Sequence, residues 1–491
     1  MLCLLQDFDM RYTAANMRPF MKVMIVKVFE HYVPIATLLE LLADSVLCFV
    51  AVLLAVTLLP VGAGHVVPMS QVMFPAAVFS AVMSLLFSFV GLYRRGAITV
   101  SLRATFGRAL VALFMGSCIA YFALRADGSL DYALPLAAYA LPMMAFGVIV
   151  VRSVVYVARR ASVGARRVLI VGTGEEAQSV ATDLGAAGSA RRTIVGFYPT
   201  ATDSSPAGSQ ALAAPVFAKG LSIDEVVQKY RVDEVIVAVR EQRGGGVPMD
   251  QLLACRIRGI PVLDLAGFFE RAKGEVPTDS LKASWLVYGH GFVQGGLRTL
   301  VKRIFDLISS SVLLVIASPV IVLTAIAIKL ESPGPIIYRQ ERVGLGGRSF
   351  MCLKFRSMST DAEKDGVARW ATKNDSRVTR VGAFIRKMRI DELPQLISVL
   401  KGEMSLVGPR PERPSFVAQL KEQIPFYDIR HSVKPGVTGW AQVRYSYGAS
   451  VEDARRKHQF DLYYVKNNSL FLDLLVLVET VSVVLFREGA H

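Results

Sequence analysis

Asp391 and Glu392 stand side by side in DSRVTRVGAFIRKMRIDELPQLISVLKGEMSLVGPRPE (375–412), directly behind Arg377, Arg380, Arg386, Lys387 and Arg389. Taken alone, an acidic pair at a helix start most often does no more than cap it. The pattern reads as Asp391 at a helix N-cap with Glu392 in the first turn, where Pro394 is tolerated because that turn's amides lack intrahelical partners. Such a start, rich in free N–H groups and arginines, also suits a phosphate, and a carboxylate there can attack phosphorus or hold Mg²⁺ against it. A second group of cations, Arg342, Arg348, Lys354 and Arg356, falls in GPIIYRQERVGLGGRSFMCLKFRSM (334–358), which reads as two strands turning at GLGG. Each would by itself be a solvated surface charge. Together, beside an apolar segment, they suit a diphosphate or a lipid phosphate.

The elements that must position these residues begin with IFDLISSSVLLVIASPVIVLTAIAIKL (304–330). It is long enough to cross a bilayer, yet Lys302 and Arg303 precede it and Lys329, Arg339 and Arg342 follow it. Basic flanks hold both ends on the cytoplasmic side, so the segment is expected to enter the membrane and return, breaking at Ser318 and Pro319. Pro319 removes a backbone hydrogen bond and Ser318 can satisfy a freed carbonyl. The competing reading, a kinked fifth span, would carry the carboxylates to the far side. The tail FLDLLVLVETVSVVLF (471–486), interrupted by Asp473 and Glu479, is expected to lie on the membrane surface.

Four more apolar segments lie at about 35–60, 72–93, 105–124 and 134–157, each near the roughly 20 residues a spanning helix needs. Arg94, Arg95, Arg103 and Arg108 follow the second, and Arg152, Arg159, Arg160, Arg166 and Arg167 follow the fourth. The loop 61–71 has no Lys or Arg and 125–133 has only Arg125, which places both ends of this bundle in the cytoplasm. With few ionisable residues, Asp44 being the main exception, the bundle reads as an anchor, not a transport path.

From Arg166 the pattern changes to RRVLIVGTGEEAQSVA, a strand turning through Gly172 and Gly174 into a helix, with Ala177 at the third small position. TIVGFY (193–198), VDEVIVAV (232–239) and GIPVLDL (259–265) continue it as a small doubly wound parallel sheet. An NAD site wants an acidic residue closing the second strand, but Pro199 and Thr200 stand there. A structural, oligomerising or regulatory role is therefore expected, with any homodimer forming through this domain. The Gly-, Ser- and Ala-rich stretch 200–214 reads as a loop and 271–296 as a linker.

At 491 residues, 53% hydrophobic and 19% charged, the chain is too apolar for an ordinary soluble enzyme. A net charge of +15 suits an anionic bilayer leaflet or phosphate-rich substrates. No nucleic-acid partner is expected, because zinc-finger spacing, a basic heptad region and RNA-binding strand motifs are all missing. Cys3, Cys48, Cys118, Cys255 and Cys352 are scattered without a CxxC and read as buried or membrane thiols. The first 30 residues mix charges with short apolar pieces, so no cleaved signal peptide is expected.

In KRIFDLISSSVLLVIASP, YRQERVGLGGRSFMCLKFRSM, DELPQL, MSLVGPRPE, KPGVTGWAQV and FDLYYVKNNSLFLDL the chain resembles the bacterial sugar transferase family, the monotopic phosphoglycosyl transferases. The start HYVPIATLLELLADSVL is similar to the subgroup tied to exopolysaccharide clusters. The resemblance implies a membrane α plus α/β protein of the bacterial inner membrane. It would have a transmembrane bundle (1–160), a Rossmann-like domain (165–270), a linker (271–296) and a cytoplasmic-face catalytic domain (297–491) with a re-entrant helix (304–330). It further implies transfer of a sugar-1-phosphate from a UDP-sugar to undecaprenyl phosphate, with Asp391 as nucleophile forming an aspartyl phospho-sugar, and Glu392, with Asp391, at Mg²⁺. Lys354, Arg356, Arg386 and Arg410 would contact phosphates, and Thr438, Gly439, Gln442 and Arg444 the uridine side. Beyond Gln442 the stretch VRYSYG matches only loosely. Two other readings compete: a non-catalytic nucleotide-sensing assembly protein, and a nicotinamide oxidoreductase.

Overall fold

Four apolar helices, α1 (Ile35–Leu58), α2 (Met69–Phe89), α3 (Leu102–Ala126) and α4 (Leu130–Arg160), form where the hydropathy pattern places them. The computed structural model describes residues 25–28, 31–58, 69–93, 102–126, 130–160, 166–186, 192–200, 214–218, 220–239, 246–278, 281, 295–360, 377–445, 448 and 450–486. The N-terminal segment with Cys3, the loop 61–68, Arg94 and Arg95, and most of the 200–214 loop lie outside the described residues. Small residues such as Ala51, Ala55, Ala76 and Ala112 face inward, while Leu39, Leu42, Phe74 and Phe114 face outward. That is the arrangement lipid-embedded helices adopt, since small side chains let backbones approach. α1 packs on α2 and α4, and α3 on the same two.

The exceptional Asp44 is answered from α4. Arg152 pairs with Asp44 and, at 3.0 Å, with Glu40, and the Tyr93 hydroxyl donates to Asp44 at 2.8 Å. All three charged groups are buried. Removing one member of such a group leaves an uncompensated buried charge, so Arg152→Met should cost about 3–5 kcal/mol. The thermal midpoint of detergent-solubilised protein should fall, and Asp44→Asn added to Arg152→Met should restore part of it. An unchanged midpoint in the single variant would show that the pair does not hold these helices together.

The same unit, which extends to Phe268, contains a four-stranded parallel sheet in the order β2-β1-β3-β4. Its strands are β1 (Arg166–Val171), β2 (Arg192–Tyr198), β3 (Glu234–Val237) and β4 (Val262–Asp264), interleaved with α5 (Glu175–Ala186), α6 (Ile223–Tyr230) and α7 (Met249–Ile257). At Gly172 (φ +116°) a Cβ would lie 2.7 Å from the Ala238 carbonyl oxygen, so strand crowding alone accounts for glycine there. α5 opens with Glu175 and Glu176 in its first turn, where their charge opposes the phosphate a dinucleotide would place there.

α8 (Leu265–Lys273) follows β4, and the second unit begins at Phe269. Part of the stretch expected as linker belongs to this unit's core. Val276 is fully buried, its N–H donates to the Gln459 carbonyl at 3.0 Å, and the Gly274 carbonyl accepts the Trp440 indole N–H at 2.7 Å. Next comes α9 (Gly296–Glu331), helical throughout its 36 residues. Pro319 lies inside this helix, which is helical on both sides of it, and the Ser318 hydroxyl donates to the Val315 carbonyl at 2.8 Å. Near the start of α9, Arg303 donates to the Val399 and Leu400 carbonyls at 2.6 and 2.7 Å, and Asp306 accepts from the Ser405 hydroxyl and the Leu406 N–H. Near its end, Ile328 packs with Phe355 and Ile385. Between these anchors Val312, Val315, Ile316, Val322 and Leu323 are exposed. The chain thus has five described helices long and apolar enough to cross a membrane, α1–α4 and α9, beside a parallel sheet.

The remaining elements are β5 (Ile337–Val343), β6 (Ser349–Phe355), α10 (Arg380–Lys387), α11 (Gln395–Lys401), β7 (Ser405–Val407), α12 (Pro414–Gln423), β8 (Gly436–Thr438), α13 (Trp440–Arg444), α14 (Val451–Asn467) and α15 (Leu470–Phe486). β5 and β6 pair antiparallel through the GLGG turn, and β7 lies parallel to β8. Leu472 and Val476 of α15 are buried, and its two acids face the domain: Asp473 meets Lys302 at 2.6 Å and Glu479 meets Arg444 at 2.6 Å.

Candidate active site

The acidic pair is placed by a backbone reversal. α10 starts at Thr379, whose hydroxyl accepts the Gly382 N–H at 2.9 Å, and ends as Arg389 takes a left-handed conformation (φ 58°). A non-glycine residue held there is uncommon and is stabilised by its surroundings. Ile385, Ile390 and Leu393 supply that support, packing with Phe355 of β6 and Ile328 of α9. A single tight turn, Ile390–Glu392, then carries both carboxylates. The expected helix N-cap at Asp391 is corrected, because Pro394 occupies the cap of α11 and the acids precede it.

Asp391 and Glu392 are each 8% exposed, yet their surroundings differ. One oxygen of Glu392 receives Arg410 at 2.8 Å, Lys354 at 3.2 Å and Arg389 at 3.8 Å. Against the upward push of burial, these three cations hold the Glu392 carboxyl well below the ordinary carboxylate range. Asp391 makes no hydrogen bond or ion pair among the described residues. Burial, and then the adjacent Glu392, push its carboxyl up, and Lys354, Arg410 and Arg389 offset this only in part. The outcome is one ionised, neutralised carboxylate beside one poorly solvated carboxylate with no protein partner. The second is suited to nucleophilic attack on an electrophile that itself brings negative charge. Among the described residues no three His, Cys, Asp or Glu side chains cluster as metal ligands. A hard cation here would therefore share its coordination between these carboxylates and substrate oxygens.

The four hairpin cations do not converge on one point. Lys354 reaches Glu392, whereas Arg348 is exposed beside the GLGG turn and Arg342 lies 3.5 Å from Glu412. Buried Arg356 donates to the Pro333 carbonyl at 2.7 Å and to the Ser332 carbonyl and hydroxyl at 2.8 and 2.9 Å, clasping the exit of α9. Arg386 sits in the last turn of α10 and makes no ion pair with either carboxylate among the described residues. Arg389 takes that place. Sequence reasoning counts it in the cluster without singling it out, and its signal is a charge two residues before Asp391.

The residues expected on the uridine side gather around α13 and α15. The Thr438 hydroxyl bonds that of Thr480 at 2.7 Å, and Arg444 stacks on Trp440 at 4.2 Å while pairing with Glu479. At Gly439 a Cβ would lie 2.2 Å from the Gly408 carbonyl oxygen, so backbone crowding already requires glycine. The Gln442 amide nitrogen is buried without a protein partner.

Comparison with known proteins places the chain in a family. The family model for bacterial sugar transferases matches residues 297–487. A UDP-N-acetylgalactosamine-undecaprenyl-phosphate N-acetylgalactosaminephosphotransferase of Aeromonas hydrophila is 43% identical over 261 residues, 53% of this chain and 61% of that protein. A UDP-glucose:undecaprenyl-phosphate glucose-1-phosphate transferase of Xanthomonas campestris pv. campestris is 32% identical over 340 residues, 67% of this chain and 68% of the relative. One of the same name from Caulobacter vibrioides is 43% identical over 192 residues, 39% of this chain and 72% of its own length. The chain belongs to the bacterial sugar transferase family.

Proposed function

We propose that this chain moves a sugar-1-phosphate from a UDP-sugar to undecaprenyl phosphate, releasing UMP, as the first membrane step of exopolysaccharide or related glycan synthesis. The observation that carries the reading is Asp391, buried and without a protein partner beside a glutamate neutralised by three cations. The relatives named above support the substrate class, being named for UDP-glucose or UDP-N-acetylgalactosamine and for undecaprenyl phosphate.

An Asp391 oxygen attacks the sugar-side phosphorus of the donor, the bond to the bridging oxygen breaks, and UMP departs with the electron pair. An aspartyl phospho-sugar is left. A phosphate oxygen of undecaprenyl phosphate then attacks the same phosphorus and releases the Asp391 carboxylate. Lys354, Arg389 and Arg410 are placed to take up the charge that develops on the departing phosphate. Glu392 and Asp391 would hold Mg²⁺, whose positive charge would neutralise the diphosphate.

Both ends of α9 are anchored on the catalytic unit while its apolar middle is exposed. This supports a helix that dips into the bilayer and keeps its two ends on one face. α1–α4 would then form the transmembrane bundle of an inner-membrane protein, with the site on the cytoplasmic side as the basic loops indicate.

The test is UMP release from a panel of UDP-sugars by purified protein with Mg²⁺ and undecaprenyl phosphate. Release that depends on the lipid supports the reading and identifies the sugar. No release with any donor would overturn it in favour of a nucleotide-sensing assembly protein.

A further inference from the structure

The loop Gly408–Glu412 presents Arg410 to Glu392, and it contains two prolines with no N–H to donate. It is held instead through its carbonyls, four in succession, each by a different donor. Pro409 accepts the Gly436 N–H at 3.0 Å, Arg410 the Arg430 guanidinium at 2.8 Å, Pro411 the Arg342 guanidinium at 3.0 Å, and Glu412 the Val343 N–H at 2.9 Å. A small crevice of about 10 Å³, room for roughly one water, is lined by Val343, Pro409, Arg410, Pro411 and Arg430 among others. These four hydrogen bonds fix the course of the loop between Gly408 and Val343.

Arg430 is fixed for this task. It is 5% exposed, donates twice to Asp461 at 2.8 and 3.1 Å, and gives a third bond to the Tyr427 hydroxyl at 2.7 Å. Asp461 is itself 2% exposed and lies on α14. Arg342 is steadied by Gln340 and by Glu412 at 3.5 Å. We infer that Arg430, set by Asp461 and Tyr427, and Arg342 are positioning residues that fix the Gly408–Glu412 loop so that Arg410 meets Glu392. Neither arginine is then a phosphate ligand, although both are cations within reach of a phosphate-handling site. Lysine cannot replace Arg430, because one ammonium cannot span Asp461, Tyr427 and the Arg410 carbonyl in a fixed plane. This inference rests on the proposed role of Arg410.

A double-mutant cycle on full-length protein tests it, with kcat and KM measured for Arg430→Gln, Arg410→Ala and the pair. If Arg430 acts through Arg410, Arg430→Gln lowers kcat by about 10²-fold with KM little changed. In the Arg410→Ala background the same change costs less than about threefold more. Arg430→Lys should behave like Arg430→Gln. Losses that multiply in the double variant, or a fully active Arg430→Gln, would overturn the inference while leaving the role of Arg410 intact. A fully active Arg410→Ala would instead defeat the reading of the site and this inference with it. Should the Arg430 variants not fold, the same cycle run with Arg342→Gln decides between these outcomes, since Arg342 lies on β5, apart from the buried Arg430–Asp461 pair.

Discussion

Asp391→Asn should reduce product formation by at least about 10³-fold, the scale on which removal of a nucleophile acts, and should abolish any sugar-phosphate label retained on the protein. It should also make the protein more stable at neutral pH. The folded-state carboxyl is pushed up by burial and by Glu392. A group with a raised folded pKa favours the native state while protonated, and that contribution is lost as pH rises through the folded value. At about pH 7 the native protein therefore carries a charge its surroundings disfavour, and asparagine removes it at nearly constant shape. The thermal midpoint of Asp391→Asn should exceed that of the native protein near neutrality, with the gap closing below the ordinary range of an unfolded aspartate, about pH 4. The acid limb of kcat/KM in the native protein should likewise lie above that range, because the attacking carboxylate must be ionised. An active Asp391→Asn enzyme would defeat the covalent route. A variant less stable than native at neutral pH would show that Asp391 is a structural charge after all.

How far the sequence exposes this site depends on the range of the interactions involved. The hairpin at GLGG and the acidic pair are local signals, and Lys354 and Asp391 are found where motif and alternation point. The left-handed backbone at Arg389 is not local in this sense. No glycine marks it, and it is sustained by Ile390 and Leu393 packing on residues of α9 and β6. A helix N-cap is therefore the natural but incorrect reading of IDELP. Charge alone also does not reveal its partner. Arg356 and Arg342 look like phosphate ligands in the sequence, yet their guanidinium groups meet backbone carbonyls at 333 and 411. Asp473 and Glu479 read as interruptions of an apolar tail, and in the fold they bind it to Lys302 and Arg444. Pro319 stands inside a 36-residue helix, so its missing N–H marks a place where the helix can bend and not where it ends.

Arg410→Ala and Lys354→Ala should each lower kcat/KM by about 10²–10³-fold, the usual effect of deleting one preorganised charge from such a site. The two residues act on the same Glu392 oxygen, at 2.8 and 3.2 Å, so their losses should not simply multiply. Their removal should also leave a signature in acid that substrate contacts alone cannot give. Burial raises the Glu392 carboxyl, but Arg410, Lys354 and Arg389 hold it well below its unfolded value. A depressed folded pKa contributes stability above the unfolded value and loses it as pH falls through the folded one. With Arg410 gone the folded value rises, so acid unfolding of the variant should begin at higher pH than in the native protein. Followed by tryptophan fluorescence, that shift should be larger for Arg410→Ala than for Arg386→Ala, because Arg410 pairs with Glu392 at 2.8 Å and Arg386 makes no ion pair with it. An Arg410→Ala protein with native turnover and a native acid transition would mean that Glu392 is neutralised by other groups, and that its three-cation environment is not what readies the neighbouring aspartate.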